Sequence, residues 1–320
     1  MRVTNKMLSN SFLSDMRANL GNLQNLQQQL TSGKEIRKPS DDPARVARAM
    51  QLHTDINANN QYKENIGDTL NWLDTTDTAL GQAGNVLQKL RGLLVSGGNA
   101  AYGSSERKSI KDEINQKIDE FSQILNTSFD GKYVFGGTRG TEKPTKTTVN
   151  GDGNKELAYS TSDAAEITKI GQVLTVEISP GVTMDYNVSA TDIVTYTTEK
   201  GAPADIRALF KDIVDHLDNK STDGTDPTLA LTGKDLQGVT DAVNNILKNR
   251  AEVGAKQNRM ESALDKNEDE TFNMTSILSR TEDIDITQKT MEYATMQTVY
   301  MASLQTSARV LQPTLMDYLR

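Results

Sequence analysis

The sequence predicts a mainly α-helical fold with an inserted β domain, in which both ends of the chain contribute to a long helical rod or coiled coil. Apolar residues recur at three- and four-residue steps near both termini, and period-two patterns are confined to the middle. Of the 320 residues, 36% are hydrophobic and 5% aromatic. This composition suits narrow apolar stripes on long helices better than one thick core.

The first segment, residues 1–42, is expected to be an N-terminal assembly helix that pairs with the C-terminus. Gln27 occupies the one polar position of a heptad seam whose apolar members are Leu13, Met16, Leu20, Leu23 and Leu30. The flanking positions are mostly Gln, Asn and Ser, so few ion pairs along the helix support it in isolation. Because short isolated helices are marginal in water, we expect this segment to need a partner.

Residues 43–140 are expected to form a helical hairpin and a short β-hairpin. Asp42 can cap a helix that has Pro43 in its first turn and runs to about Val95. Leucine or isoleucine recurs every seven residues within it, at Ile66, Leu73, Leu80, Leu87 and Leu94. A second helix, with its apolar face between residues 110 and 125, follows a loop short enough to fold it back antiparallel. A Gly-centred turn in an aromatic segment then indicates a pair of strands.

Residues 141–200 are expected to be the inserted β domain. Apolar and polar residues alternate over 174–178 and again over 182–188, on either side of a Ser-Pro-Gly turn. Thr-rich stretches at 146–149 and 193–197 are expected to add strands. Since the insertion lies away from the terminal seams, trimming it is expected to be milder than disrupting a seam.

Residues 201–280 are expected to complete the rod, with a polar loop between Asn219 and Lys234, and residues 281–320 to form the C-terminal assembly helix. The predicted interface positions of this end are Ile277, Ile284, Met291, Val299, Leu304 and Leu311. An apolar stripe is more often internal core than interface. Here the stripes lie at the chain ends with little apolar material to cover them, which favours packing between subunits over an isolated two-helix coil.

The sequence offers little for catalysis or ligand binding. Cys is absent, which excludes thiol chemistry and disulfides. His53 and His216 are each expected on a helix surface, and neither begins a His-Glu-x-x-His zinc pattern. The loop 150–155 spaces oxygen-bearing side chains as a calcium loop does, but Lys155 stands where Gly is required, which favours a plain turn between strands. We therefore predict no enzymatic activity, metal or cofactor.

Composition also argues against two kinds of partner. The net charge of −8 comes from 35 basic and 43 acidic residues, without a basic block that could follow a phosphate backbone, so nucleic acid is not expected. No window approaches the ~20 apolar residues of a membrane span, so no membrane association is expected. The first residues, MRVTNKMLSNSF, lack the apolar core of a secretory signal peptide, so export would need another route.

Three separated blocks of the sequence are LQNLQQQLTSGKEIRKPSDDPARVARAM at 23–50, NTSFDGKYVFGG at 126–137 and NRAEVGAKQNRME at 249–261. Together, and in this order, they resemble the bacterial flagellin family. The inserted domain is unmatched. The resemblance implies a structural subunit of the extracellular bacterial flagellum that serves motility and is exported unfolded by the flagellar type III apparatus.

Within the family, the ends MRVTNKML and LQTSARVLQPTLMDYLR resemble the hook-associated members more than filament flagellins. This resemblance implies a ring of copies at the junction of hook and filament, with the first hook-associated protein and flagellin as partners and an export chaperone before secretion. Three alternatives stay open: a filament flagellin, a secreted enzyme carried on the insertion, and a free coiled-coil adaptor. In the junction hypothesis the ends are disordered in the monomer and fold on assembly.

Overall fold

The computed structural model describes residues 5–98, 103–198, 201–220 and 226–310. The chain divides into two compact units, which we call the terminal unit (residues 1–59 and 269–320) and the central unit (residues 60–268). In the described part of the chain, no helix combines the length and apolar character needed to cross a membrane.

Helices dominate both units. In chain order they are α1 (Asn5–Ser32), α2 (Pro43–Gly97), α3 (Ser104–Leu125), α4 (Ala164–Ile170), α5 (Ala190–Val194), α6 (Ile206–Leu217), α7 (Pro227–Ala230), α8 (Leu236–Glu282) and α9 (Ile286–Val310). A π-helical turn, Leu231–Asp235, connects α7 to α8.

The strands form separate two-stranded antiparallel hairpins. They are β1 (Ser128–Phe129) with β2 (Lys132–Tyr133), β3 (Thr145–Val149) with β4 (Lys155–Tyr159), β5 (Thr175–Ser179) with β6 (Val182–Asp185), and β7 (Thr195–Thr197) with β8 (Pro203–Asp205). Long helices thus come from both ends of the chain and small sheets from its middle, which confirms the predicted fold class. The division into five segments at residues 42, 140, 200 and 280 stays a prediction.

Several local predictions are confirmed by the side chains that carry them. Asp42 caps α2, with its Oδ1 accepting from the backbone N–H groups of Ala44 and Arg45 at 3.1 Å each. The hairpin β5–β6 follows the predicted alternation at Val176, Ile178 and Met184, whereas Val182 is 42% exposed, and Gly181 in its turn has φ +72°. Asn150 closes the β3–β4 turn because its Oδ1 accepts from the backbone N–H groups two and four residues further on. Its amide oxygen therefore serves the turn.

The core of the central unit forms around the predicted heptad of α2. The members of that heptad, Ile66, Leu73, Leu80, Leu87 and Leu94, have no exposed surface. A second seven-residue repeat on α8 belongs to the same core and consists of Val239, Ile246, Val253 and Met260. Leu247, although apolar and next to Ile246, is 51% exposed because the packed face of α8 centres on this repeat.

The inserted segment is part of this same core. Leu157 and Tyr159 on β4, Ile178 on β5 and Met184 on β6 are all buried in one cluster with the α2 heptad. This arrangement contradicts the expectation that trimming the insertion is mild, because removal would expose apolar surface on α2 and α8.

Two segments expected as strand or loop are helical. Residues 190–194 form α5, because Ser189 and Asp192 cap it reciprocally, and only residues 195–197 are a strand. The helix leading into α8 begins at Pro227, nine residues before Leu236, because Asp226 caps its first turn. In both places a local cap outweighs a Thr- and Gly-rich composition that favours strand or loop.

Candidate functional site: the terminal helix pair

The terminal helices α1 and α9 pack along each other. On α1, the half-buried residues that follow a regular alternation of four- and three-residue steps are Phe12, Met16, Asn19, Leu23, Leu26 and Leu30. On α9, the residues covered at the same alternation are Tyr293, Met296, Tyr300, Ser303 and Ser307. This spacing is typical of a two-helix coiled-coil seam, so each end of the chain uses the other as its packing partner.

The α1 seam drawn from the sequence needs correction at two positions. Asn19 is half-buried where Leu20 was expected, and Leu20 is exposed. Leu26 is half-buried where Gln27 was expected, and Gln27 is exposed. At the first of these two positions, the apolar pattern of the sequence favoured Leu20 over the polar Asn19. The polar position of the seam is therefore Asn19, and a single Asn at such a position can fix the register of a coiled coil.

The α9 seam contains two tyrosines that the sequence reasoning missed. Tyr293 and Tyr300 are half-buried and lie seven residues apart. Their heptad spacing is visible in the sequence, but their polar hydroxyl groups set them apart from an aliphatic stripe. An aromatic ring buries a large apolar body and can keep its hydroxyl group near water, which suits the edge of a helix pair.

The predicted interface residues divide into two groups. Those that are half-buried are Leu13, Met16, Leu23, Leu30 and Ile284. Those that are exposed are Leu20 (38%), Ile277 (38%), Met291 (61%), Val299 (44%) and Leu304 (43%). Leu311 lies outside the described residues. The structure therefore separates residues that are covered within the chain from residues that face solvent, and their role in contacts between subunits stays a prediction.

Helix α9 has apolar residues around its whole circumference. At about 100° per residue, Ile286 and Leu304 flank the seam on one side and Val299 flanks it on the other, while Met291 lies opposite the seam. Because α1 covers one side only, the pair presents apolar surface of the kind that marks an interaction site.

Main-chain hydrogen bonds connect the segments at the base of the pair. The N–H of Glu35 donates to the carbonyl of Glu282 at 2.6 Å, and the N–H of Ile284 donates to the carbonyl of Gly33 at 3.1 Å. Gly33 has φ +72°, a conformation that favours glycine. The loop after α1 and the loop before α9 thus form a short antiparallel bridge.

Charged side chains surround this bridge. Glu282, whose side chain is 12% exposed, pairs with Lys34 and lies 3.4 Å from His53 Nε2. Arg45 donates from Nη2 to Glu35 at 2.9 Å and to the main-chain carbonyl oxygen one residue before Glu282. These contacts fix the direction in which the chain leaves α1 and enters α9. They use carboxylates and cations as structural connectors.

The two histidines differ from each other. The side chain of His53 is 50% exposed, as expected for a helix surface. His216 is buried, which corrects the expectation, because α6 turns this face toward the π-helical turn. Its Nδ1 lies 2.6 Å from Oδ2 of Asp235, close enough for the ring N–H to donate to the carboxylate.

Burial raises the pKa of Asp235 while the hydrogen bond from His216 opposes that rise. The other carboxylate oxygen of Asp235, Oδ1, is buried without a hydrogen-bond partner in the described structure. Both members lie inside the protein, where the pair links α6 to the π-helical turn before α8, and it offers no support for an enzyme carried on the insertion. Within the described ranges, no group of three or more His, Asp or Glu side chains is arranged to hold a metal ion.

Two family models match the chain. The bacterial flagellin N-terminal helical region matches residues 3–139, and the bacterial flagellin C-terminal helical region matches residues 236–319. The chain belongs to the bacterial flagellin family. The matched regions contain both terminal helices, and the unmatched stretch between them contains the inserted domain. As a flagellin-family member, the chain is a structural protein of the flagellum.

Individual relatives extend this finding. Bacillus subtilis flagellin is 29% identical over 299 residues, which cover 92% of this chain and 90% of that protein. Flagellar hook-associated protein 3 of Escherichia coli is 24% identical over 281 residues, covering 86% of each. The solved structure of a putative flagellar hook-associated protein from Vibrio parahaemolyticus superimposes with a TM-score of 0.62 at 18% identity, over 76% of this chain and 100% of that one. The fold is therefore shared with hook-associated proteins.

Proposed function

We propose that this flagellin-family chain forms the junction between the flagellar hook and the filament. In this role, copies of the chain assemble as a ring outside the cell, with the first hook-associated protein on one side and flagellin on the other. The fold shared with the Vibrio parahaemolyticus protein and the similarity to hook-associated protein 3 of Escherichia coli support this assignment. The resemblance of both chain ends to hook-associated members points the same way.

The observation that carries the mechanism is the contrast in burial between the two units. Among the described residues of the terminal unit, the buried apolar side chains are Ala49 and Leu278, whereas the central unit buries complete heptads on α2 and α8. Ordering backbone costs about 1–2 kcal/mol per residue, which burial must offset. The terminal unit therefore needs surface supplied by neighbouring copies, so its folding and ring assembly are coupled.

The same coupling accounts for export. Ends that are weakly stabilised in the monomer unfold easily and can pass a narrow channel, and a chaperone that covers their apolar residues before secretion would keep them soluble. Once outside, the exposed residues of α9 pack against adjacent subunits. Residues Leu20, Ile277, Met291, Val299 and Leu304 are the proposed contacts between subunits.

Deleting the gene tests the junction role. The deletion strain should assemble hooks but shed unpolymerised flagellin into the medium, and the full-length gene supplied in trans should restore filaments. A strain that keeps normal filaments would contradict the proposal. Electron microscopy of hooks and immunoblotting of the medium for flagellin measure both outcomes.

Filament flagellin is the second candidate, because the Bacillus subtilis flagellin is 29% identical over nearly the whole chain. The two functions differ in self-assembly. A filament subunit should polymerise alone into long helical fibres when the purified protein is seeded, whereas a junction subunit should add only to ends that present the first hook-associated protein. Long fibres from the purified chain would favour the filament role.

Amide hydrogen exchange tests the coupling of folding and assembly. In the purified monomer, amides of α1 and α9 should exchange fast, while those of α2 near Leu80 and of α8 near Ile246 should be protected by the buried core. Slow exchange at both ends of the unassembled chain would refute the mechanism. Such a result would leave the assignment to the flagellin family unchanged.

A further inference from the structure

The central unit contains an open cleft of about 810 Å³ between α2, the β1–β2 turn and the β5–β6 hairpin. Three aromatic residues line it. The ring of Trp72 meets those of Phe129 and Tyr186 edge-on, with centroids 6.1 and 5.8 Å away. Trp72 is buried, whereas Phe129 and Tyr186 are half-buried and contribute accessible ring surface. The volume is that of a pocket for a small ligand or a short peptide segment.

Carboxylates accompany these rings. Asp68 on α2 and Asp130 in the β1–β2 turn both line the cleft, are exposed and have no ion-pair partner among the described residues. Asp77, farther along α2, instead receives two hydrogen bonds from Arg250, at 2.8 and 2.9 Å. Lys132 is the cation of the lining, so the carboxylates outnumber it. The cleft therefore favours a positively charged occupant.

Another part of the central unit shows which cation binds beside an aromatic ring and a carboxylate. Cζ of Arg207 lies 4.4 Å from the centroid of the Tyr159 ring, while its guanidinium donates to Asp205 at 2.6 Å. An aromatic face and a carboxylate together hold one guanidinium there, by cation–π attraction and a charge-assisted hydrogen bond. The described lining of the cleft offers both kinds of group but no guanidinium. Leu174 and Val176 add apolar lining for neighbouring side chains.

We propose that this cleft binds an arginine side chain presented on an extended segment of a partner protein. The guanidinium packs on the rings of Phe129 and Tyr186 and donates to Asp68 and Asp130, while flanking apolar residues of the segment contact the β5 side. Arginine is favoured over lysine because its planar group can stack on a ring and bind a carboxylate at the same time. This binding is independent of the junction role.

The test uses the full-length protein and the peptide Ac-Val-Arg-Val-NH2, with the same peptide carrying citrulline as an uncharged isostere. Trp72 is the only tryptophan of the chain, so its fluorescence reports the cleft directly, and calorimetry measures binding independently of the optical signal. The arginine peptide should bind at least tenfold more tightly than the citrulline peptide. Raising the salt to about 1 M should weaken it severalfold.

The double variant Asp68→Asn, Asp130→Asn should weaken binding of the arginine peptide at least tenfold. Asn tolerates the positive φ of +48° at position 130, so the turn is preserved. Asp112→Asn, an exposed carboxylate on α3 outside the cleft, is the matched control and should leave affinity unchanged. Three results would each overturn the proposal: no calorimetric binding at millimolar peptide, equal binding of the citrulline peptide, or full affinity in the double variant.

Discussion

Replacing His216 by Ala tests how the buried His216–Asp235 pair stabilises the central unit. The substitution removes the group 2.6 Å from Oδ2 of Asp235, and Oδ1 already lacks a partner. The carboxylate would then be a buried charge without compensation. Breaking a buried pair from one side costs about 3–5 kcal/mol, a large part of the roughly 5–15 kcal/mol that stabilises a typical domain.

The loss should depend on pH with a definite sign. Burial raises the pKa of Asp235 in the folded state, so the folded protein binds this proton more tightly than the unfolded chain does. The free energy of unfolding therefore falls as pH rises through the pKa of the folded state. In His216→Ala the opposing hydrogen bond is gone and this effect is fully expressed. At pH 7 the loss should be about 3–5 kcal/mol, and near pH 4 it should shrink to the roughly 1–3 kcal/mol of a neutral unsatisfied group.

Urea unfolding followed by Trp72 fluorescence measures this loss, because Trp72 lies in the same unit as the pair. His53→Ala, at an exposed position, is the control, with circular dichroism as its signal, and should change stability by less than about 0.5 kcal/mol. The double variant His216→Ala, Asp235→Asn should recover part of the loss at pH 7. A loss that is the same at pH 4 and pH 7, or below about 1 kcal/mol at pH 7, refutes the reasoning.

Three further substitutions probe assembly, core and turn. Leu304→Asp on α9 should leave the monomer folded but abolish incorporation into the junction, whereas Leu229→Asp, at an exposed leucine of the central unit, should assemble normally in a sedimentation assay. Leu80→Ala should cost about 2–5 kcal/mol in urea unfolding, against about 0.5 kcal/mol or less for Leu247→Ala. Gly137→Ala should destabilise by more than about 1 kcal/mol, because φ is +56° and a Cβ would overlap the last carbonyl oxygen of α4. A melting temperature equal to that of the unmodified protein would contradict this last expectation.

Periodicity predicted the helical core well because burial on a long helix repeats with the helix itself. The heptad from Ile66 to Leu94 is buried throughout, and α2 begins at the capped Pro43 as expected. The partner stripe on α8 was only partly visible, since the six residues between Val253 and Met260 are mostly polar. An apolar stripe is easiest to identify in a sequence where the residues adjacent to its members are also apolar.

The misassigned residues depend on contacts between distant parts of the chain. His216 has acidic neighbours in sequence and looks like a surface residue, but its partner, Asp235, comes from a π-helical turn that the sequence pattern did not indicate. The insertion looked separable because its strands are short and polar on one face. Yet Ile178 and Met184 pack into the core shared with α2, which spacing within the insertion does not reveal.

The interface residues illustrate a further distinction. The alternating three- and four-residue spacing identifies apolar stripes on α1 and α9. It does not tell which stripe faces the partner helix and which faces another molecule. The structure places Leu23 in the seam and leaves Leu304 43% exposed, and contact of Leu304 with another copy stays a prediction. Because α9 is apolar around its circumference and α1 covers only one side, the remaining sides carry the surface available for neighbouring copies. Because folding and assembly are coupled in the proposed mechanism, the strength of the assembly should depend on the apolar area of these uncovered sides and on the stability of the seam. Polar substitutions at the seam should therefore weaken both the helix pair and the assembly, whereas substitutions such as Leu304→Asp should weaken only the contacts between subunits.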